Sequence, residues 1–324
     1  LVEDALTVLD NMKHRGAEAA DKKSGDGAGI LLQIPHEFIL LQGIAVPERL
    51  KYGTGLVFLP KDKTLADKYL SIIETETCKA GFELLKVREV PVKSDILGDA
   101  AKAAEPRTVQ IFVTGADDVT AFETKLYLLR KSIERQIDDE QFYIVSLSNR
   151  VIVYKGMLSA TQLRDYYDDL RNPNFTSGLA LVHSRFSTNT FPTWSLAQPF
   201  RMVAHNGEIN TIRGNRSWME ARESVLASEA VGDMRNFSPV VQPGMSDSAS
   251  FDNALEFFVR SGMTLPHAMA MMVPESFNEK NPISSSLKAF YEYHSTLMEP
   301  GDGPAALIFT DGRYAGGMLD RNGL

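Results

Sequence analysis

The chain has 324 residues, of which 44% are hydrophobic, and it carries a formal net charge of -8 with a pI near 5.4. This composition supports a folded core and excludes the concentrated basic surface that binding to nucleic acid or an anionic membrane requires. Cys78 is the one cysteine, which excludes an intrachain disulfide and a cysteine zinc cage. We therefore expect a cytoplasmic protein, or a plastid one in a photosynthetic eukaryote, with small molecules or proteins as partners.

The first residues predict an amphipathic helix with Val2, Leu6 and Leu9 on one face. Because the chain opens inside this helix and closes directly after a predicted strand, we expect both ends to belong to a longer polypeptide. No run of about 18 apolar residues occurs, and the acidic first helix differs from a targeting leader. The sequence therefore predicts no membrane segment.

A glycine-rich segment, SGDGAG at 24–29, follows the first helix and precedes the apolar run ILLQIP. A loop that cradles phosphate follows a strand and opens a helix, so the order here is the reverse. We interpret the segment as a tight turn that leads into a core strand.

Residues 53–147 predict a split β-α-β-β-α-β unit. Its strands are expected over GTGLVFLP, FELLKVREVPV, TVQIFVTG and FYIVSLS, and its helices over LADKYLSIIETETCKAG and VTAFETKLYLLRKSIERQI. Such a unit can bury a core of its own. We therefore expect an inserted α/β subdomain that carries no chemistry.

The residues beyond 147 predict strands over SNRVIVYKG and GLALVHSRF, a hairpin signal in MVAHNGEIN, and a last hairpin over PAALIFTDGRYAGGML. Helices are expected over NRSWMEARESVLASEA and GMSDSASFDNALEFFVRSG. The second of these places Ser246 or Asp247 at the N-cap, with Phe251, Leu255 and Phe258 facing inward.

Two motifs, HSRFSTN at 183–189 and HNGEIN at 205–210, combine a fixed cation with donors for a developing oxyanion. Arg185 can grip a carboxylate through two parallel N–H bonds, and the Asn206 amide with the Gly207 N–H can aim two donors at one oxygen. The pair fits a substrate with a carboxylate and an amide. Each motif also has a simpler interpretation, since a strand-end arginine can meet solvent or a structural acid, and Asn-Gly signals a two-residue hairpin turn.

Other polar residues have a structural and a functional interpretation. His183 and His205 are either general bases or structural histidines at strand ends. Asp247 is either a helix cap or the acceptor for a substrate ammonium. Arg15 can serve the negative end of the first helix. For Cys78, which has no flanking base, we expect a buried or half-buried structural thiol.

The segments HRGAEAADKKSGDGAGILLQIP, HSRFSTNTFPTWSLAQPFRMVAHNGEINTIRGNRSWMEAR and PGMSDSASFDNALEFFVRSG together resemble the glutamine amidotransferase domain of the glutamate synthase large subunit. The likeness covers nearly the whole chain, 1–324. The short motif HNGE recurs in other class II amidotransferases, whereas HSRFSTNTFPTW, GNRSWM and DGPAALIFTDGR are particular to the glutamate synthase branch.

The resemblance implies an α+β fold, the four-layer αββα sandwich of the N-terminal-nucleophile hydrolases, with the inserted β-α-β-β-α-β subdomain as an addition. It also implies a reaction, in which an amino-terminal cysteine attacks the side-chain amide of L-glutamine, forms a thioester and releases ammonia into an internal channel. The α-amine of that cysteine serves as base, because its unperturbed pKa of about 7.7 to 8.0 lies near working pH.

The resemblance also assigns roles to individual residues. Arg185 would hold the α-carboxylate of glutamine, Thr188 would line the same pocket, and Asp247 would accept from the α-ammonium. Asn206 and Gly207 would stabilise the oxyanion.

Three further positions relate to the family pattern. Arg15 resembles the arginine that lies against the nucleophile's segment, with the GDGAG turn beside it. The family's nucleophile lies upstream of the first helix, and Cys78 cannot replace it because an interior residue has no free α-amine. We therefore expect this chain alone to be inactive. Gly301 stands where the family usually has tryptophan, which removes a large apolar side chain beside the last hairpin.

The sequence thus predicts the glutaminase domain of a glutamate synthase, an oxidoreductase that converts glutamine and 2-oxoglutarate to two glutamates. By resemblance, FMN and a 3Fe-4S cluster belong to downstream domains, and a small electron-donating subunit is an expected partner. The electron donor, NADPH or ferredoxin, and the oligomeric state stay open. The alternatives are a non-catalytic amidotransferase-like module that binds an amino acid or a partner subunit, and an amidotransferase that feeds sugar or purine synthesis.

Overall fold

The computed structural model describes residues 1–15, 23–115, 118–185, 192–233 and 238–319. The chain divides into two compact units, Leu1–Arg201 and Met202–Leu324. Both units mix helices with antiparallel sheets. Among the described residues, none of the helices has the length and apolar character needed to cross a membrane.

The first unit contains six of the described α-helices and seven of the described strands. The helices are α1 (Val2–Asn11), α2 (His36–Leu41), α3 (Lys63–Lys79), α4 (Asp99–Ala103), α5 (Val119–Gln136) and α6 (Gln162–Tyr166). The strands are β1 (Ala28–Gln33), β2 (Tyr52–Leu59), β3 (Glu83–Glu89), β4 (Arg107–Thr114), β5 (Tyr143–Ile144), β6 (Val151–Gly156) and β7 (Ala180–Ser184).

A three-stranded sheet in this unit has β1 at its centre, between β6 and β7. Ile30, Leu31 and Leu32 are all fully buried, which explains why β1 reads as a continuous apolar run rather than an alternation. Helix α1 packs against β7 and buries Leu6 and Leu9, as its periodicity predicts. The glycine-rich segment leads directly into β1, so the predicted core strand after it is confirmed, whereas its interpretation as a tight turn stays a prediction.

A four-stranded antiparallel sheet follows, in the order β3-β4-β2-β5. Its strands and the helices α3 and α5 occur in the predicted β-α-β-β-α-β order. Asp62 caps α3 by accepting from the Leu65 backbone N–H at 2.8 Å. The sheet and helices share one apolar core, which includes Val57, Ile73 and Phe122. The boundaries 53–147 of an inserted subdomain stay a prediction.

Cys78 lies near the end of α3 and is exposed, so the expected burial of this thiol is wrong. The buried residues of α3 include Ala66, Tyr69 and Ile73, which recur at helical spacing on one face. Cys78 lies outside that face, next to the exposed Lys79.

The second unit has a three-stranded antiparallel sheet in the order β10-β9-β8. Its elements are α7 (Ile212–Glu223), α8 (Asp247–Arg260), α9 (Leu265–Met272), α10 (Ser285–Ser295), β8 (Val203–Gly207), β9 (Ala305–Thr310) and β10 (Ala315–Leu319). The predicted last hairpin is β9 and β10. Helix α7 ends seven residues before the predicted end at 230, because 224–230 bury no side chain that would stabilise a further turn.

Helix α8, in the second unit, buries most of its residues. Phe251, Leu255 and Phe258 are all less than a tenth exposed, which confirms their predicted inward orientation. The helix begins where the sequence predicts, because the Ser246 hydroxyl accepts from the Ala249 backbone N–H at 3.2 Å.

Candidate functional site in the second unit

Asn206 and Gly207 form the exposed end of β8. The strand pairs with β9 through Asn206 opposite Ala306 and Gly207 opposite Ala305, so the two residues do not form the predicted two-residue hairpin turn. Gly207 has a φ of 126°, and a Cβ on it would lie 1.8 Å from the Pro304 carbonyl oxygen. The glycine is therefore required by a close backbone approach inside the sheet rather than by turn geometry.

Asp247 is the first residue of α8 and is half-buried. Its Oδ1 accepts from the Ser248 backbone N–H at 2.7 Å, and its Oδ2 accepts from the Ile209 backbone N–H at 3.0 Å. Because Ser246 caps the helix, Asp247 is not the cap. A carboxylate in this position is also stabilised by the positive end of the helix dipole.

The contact with Ile209 joins the start of α8 to the chain that follows β8. Ile209 lies two residues after Gly207, and the intervening Glu208 donates its backbone N–H to the Pro304 carbonyl at 2.8 Å. The strand end with Asn206 and Gly207 and the carboxylate of Asp247 are thus parts of one hydrogen-bonded assembly.

His205 points to the buried side of β8, and only 2% of its surface is exposed. Its Nδ1 lies 2.8 Å from the Ser248 hydroxyl oxygen. Burial lowers the pKa of His205, and the negative charge of Asp247 opposes that lowering in part. His205 is therefore a structural histidine, as the second of the two interpretations predicts.

Arg185 lies in the first unit, directly after β7, and 9% of its surface is exposed. Its backbone N–H donates to the Gly27 carbonyl at 2.8 Å, and a Cβ on Gly27 would lie 3.6 Å from the Arg185 Cβ. The glycine-rich segment is therefore next to Arg185. His183 is opposite Gly29 in the same sheet, two residues before Arg185.

Two predicted site residues fall on parts of the chain that the structure does not describe. Thr188 lies outside the described residues. Arg15 ends a short 3-10 helix, Lys13–Arg15, whose backbone is described, but the Arg15 side chain is not. The convergence of Arg185 with Asn206, Gly207 and Asp247 on one substrate stays a prediction, because these residues belong to different units.

A small pocket of about 30 Å³ lies in the second unit next to Ile209. Apolar side chains form most of its wall, among them Met219, Phe251 and Met298. Gly301 also lines it, and a Cβ there would make only ordinary contacts, with its nearest neighbours at 3.6 Å. The glycine that departs from the family pattern therefore borders unfilled space.

Sequence reasoning missed Ser248 and Ile209, which connect the predicted residues. Ser248 is 4% exposed and bonds both to His205 and to the carboxylate of Asp247. The available signal was the tripeptide SDS at 246–248, in which small polar side chains flank the acid at a helix start. Among the described residues, no group of three or more His, Cys, Asp or Glu side chains could hold a metal ion.

Comparison with known proteins places the chain in a family. The family model "Glutamine amidotransferases class-II" matches residues 1–324. "Glutamate synthase [NADH]" of Saccharomyces cerevisiae is 48% identical, and "Glutamate synthase [NADPH] large chain" of Bacillus subtilis is 44% identical, each over the whole chain. "Ferredoxin-dependent glutamate synthase 2, chloroplastic" of Arabidopsis thaliana is 43% identical over the same extent.

The chain spans only part of these relatives, namely 16% of the yeast protein, 22% of the Bacillus protein and 21% of the Arabidopsis protein. The match of the family model is nevertheless complete, and the identities exceed 40% along the entire chain. The resemblance that the motifs predicted is therefore confirmed, and the chain belongs to the class-II glutamine amidotransferases.

Proposed function

We propose that this chain is the glutamine-hydrolysing domain of a glutamate synthase. It would release ammonia from L-glutamine for the reductive amination of 2-oxoglutarate elsewhere in the full enzyme. The observation that carries the proposal is the hydrogen bond from the Ile209 backbone N–H to Asp247 Oδ2 at 3.0 Å. It brings a carboxylate suited to an α-ammonium next to the strand end that bears Asn206 and Gly207.

In the proposed chemistry, three parts of glutamine are bound by different residues. Arg185 binds the α-carboxylate through two parallel N–H bonds, with Thr188 lining the same pocket, and Asp247 accepts from the α-ammonium. The Asn206 amide and the Gly207 N–H donate to the side-chain carbonyl oxygen as it becomes an oxyanion. Asn206 suits this role because its side chain is exposed at the end of an otherwise buried strand.

The nucleophile in this proposal is the amino-terminal cysteine of the mature full-length protein, and Arg15 would lie against its segment. The thiolate adds to the amide carbon, and the α-amine carries the thiol proton to the leaving nitrogen as the C–N bond breaks. Water then cleaves the thioester to give glutamate. Cys78 cannot act in this way, because an interior residue has no free α-amine.

We also infer the finer features that the family implies. These are a four-layer αββα arrangement of the N-terminal-nucleophile type, FMN and a 3Fe-4S cluster in other parts of the full protein, a small electron-donating subunit as partner, and a cytoplasmic or plastid location. The relatives are named glutamate synthases, which supports the synthase reaction. Those names include NADH, NADPH and ferredoxin, so they do not favour one electron donor.

The test is ammonia release from L-glutamine by the full-length native protein and by the 324-residue chain alone. We expect release by the full-length protein and none by the chain, which has no terminal cysteine. A Cys78→Ser variant of the full-length protein should keep its activity. Glutamine binding without ammonia release by the full-length protein would instead favour a non-catalytic binding module.

A further inference from the structure

Three side chains of the second unit form a continuous hydrogen-bonded series, which we name the 205–248–247 series after His205, Ser248 and Asp247. His205 Nδ1 lies 2.8 Å from the Ser248 hydroxyl, and that hydroxyl lies 3.2 Å from Asp247 Oδ1. His205 and Ser248 are buried, whereas Asp247 is half-buried. The 205–248–247 series therefore runs from the core of the unit to a half-buried carboxylate.

The chemistry of these groups determines which group donates each hydrogen bond in the 205–248–247 series. An ionised carboxylate only accepts hydrogen bonds, so the Ser248 hydroxyl donates to Asp247. A neutral imidazole protonated on Nδ1 then donates to the Ser248 oxygen, and burial favours the neutral form of His205 by lowering its pKa. Hydrogen bonds in series polarise one another and hold their members in a fixed arrangement.

Both oxygens of the Asp247 carboxylate are held. Oδ1 accepts from the backbone N–H and the hydroxyl of Ser248, and Oδ2 accepts from the Ile209 backbone N–H. These donors fix the rotation of the carboxylate about its side-chain bonds. These three donors use three of the roughly four lone-pair sites of the carboxylate, so capacity for a further donor remains at Oδ2.

We propose that Ser248 is a positioning residue. Its hydroxyl, which is hydrogen-bonded to His205, orients the carboxylate of Asp247 to accept from the α-ammonium of glutamine. The proposal rests on the proposed function of this chain. Its consequence is substrate selectivity, because a fixed carboxylate favours an α-amino acid over the same molecule without the amine. A residue that merely supports the fold would affect both substrates alike.

The experiment compares kcat/KM for L-glutamine with kcat/KM for glutaramate, which lacks the α-amino group, in the full-length protein. Ser248→Ala should lower the preference for glutamine about threefold to tenfold, the effect of one hydrogen bond. Ser248→Thr keeps the hydroxyl and should restore the preference. Ser250→Ala, in the same helix and equally buried, should leave the preference unchanged. An unchanged preference in Ser248→Ala would overturn the positioning role.

Two additional variants separate the possible failures. Should Ser248→Ala not fold, Ser248→Cys takes its place, since a thiol is a weak donor of similar size; an unchanged preference would again overturn the role. Asp247→Ala tests the underlying assignment. If Asp247→Ala loses the preference for glutamine over glutaramate and the Ser248 variants keep it, only the positioning role of Ser248 is overturned. If Asp247→Ala keeps the preference, the role of Asp247 in the proposed function is overturned.

Discussion

The carboxylate of Asp247 accepts the backbone N–H of Ile209 at 3.0 Å, which ties the start of α8 to the segment that follows Gly207. One residue thus has both a structural bond and a proposed bond to substrate. Asp247→Asn removes the negative charge, and its single amide oxygen can accept from Ile209 or from Ser248 but not from both.

We expect Asp247→Asn to raise KM for glutamine about tenfold or more, because a bond to a charged group is lost. The free energy of unfolding should also fall, by about 1 to 3 kcal/mol, because the amide NH2 leaves one set of donors without an acceptor. Steady-state ammonia release and urea denaturation of the full-length protein measure the two quantities. A KM equal to that of the wild type would remove Asp247 from the binding site.

Arg185→Lys tests the grip on the α-carboxylate. Lysine keeps the positive charge but cannot form two parallel N–H bonds, so KM for glutamine should rise about tenfold to hundredfold. Arg164→Lys is the matched control, since Arg164 forms ion pairs with Glu3 and Asp10 at the surface and should tolerate the exchange. Equal KM values in the Arg185 variant and the wild type would contradict the assignment.

Gly301→Trp should stabilise the second unit. A Cβ at this position makes no close contact, and the ring would lie against the apolar wall of the adjoining pocket, so we expect a gain of about 0.5 to 2 kcal/mol in unfolding free energy. Gly303→Ala gives the contrast, because its Cβ would lie 2.1 Å from the Glu208 carbonyl oxygen at a φ of 144°. Denaturant titration checks both changes. A Gly301→Trp variant less stable than the wild type would show that the pocket cannot accept the ring.

The His267–His294 pair should make stability depend on pH. Their Nε2 atoms are 2.9 Å apart, and the pKa of His294 is lowered from 6.5 by burial and by the charge of His267. The unfolded chain therefore binds more protons below about pH 6.5. The contribution of His294 to the free energy of unfolding is complete above that pH, and it is lost as the pH falls through the lowered pKa of His294 in the folded state.

His267→Gln removes the repelling charge, so we expect a smaller loss of unfolding free energy between pH 7 and pH 5 than in the wild type. Denaturant titration at the two pH values measures the difference. The exposed His14 provides the control variant His14→Gln, which should follow the wild type. Parallel curves for all three proteins would contradict the coupling between His267 and His294.

Local patterns predicted the parts of the fold that depend on them. The spacing of apolar residues predicted the buried faces of α1 and α8, and Ser246 predicted where α8 begins. The sequence could not predict the link between His205 and Ser248, which are 43 residues apart and meet only through the packing of α8 on β8. Asn206-Gly207 was misjudged because the positive φ of Gly207 serves a close approach to Pro304 rather than a turn.

The exposure of Cys78 was misjudged for a different reason. Cysteine is usually buried, but its position on α3 lies outside the face defined by Ala66, Tyr69 and Ile73. Helical phase therefore determined the exposure of this side chain, and residue type did not. Helical spacing in the sequence already places Cys78 outside the face of Ala66, Tyr69 and Ile73.

The most direct test of the account is Asn206→Ala in the full-length protein, with the dissociation constant for L-glutamine and kcat for ammonia release measured together. We expect unchanged glutamine binding and a kcat lower by about a hundredfold or more, because one oxyanion donor is lost. Asn210→Ala, an exposed asparagine in the same segment, should match the wild type in both. A kcat in Asn206→Ala equal to that of the wild type would contradict the proposed site.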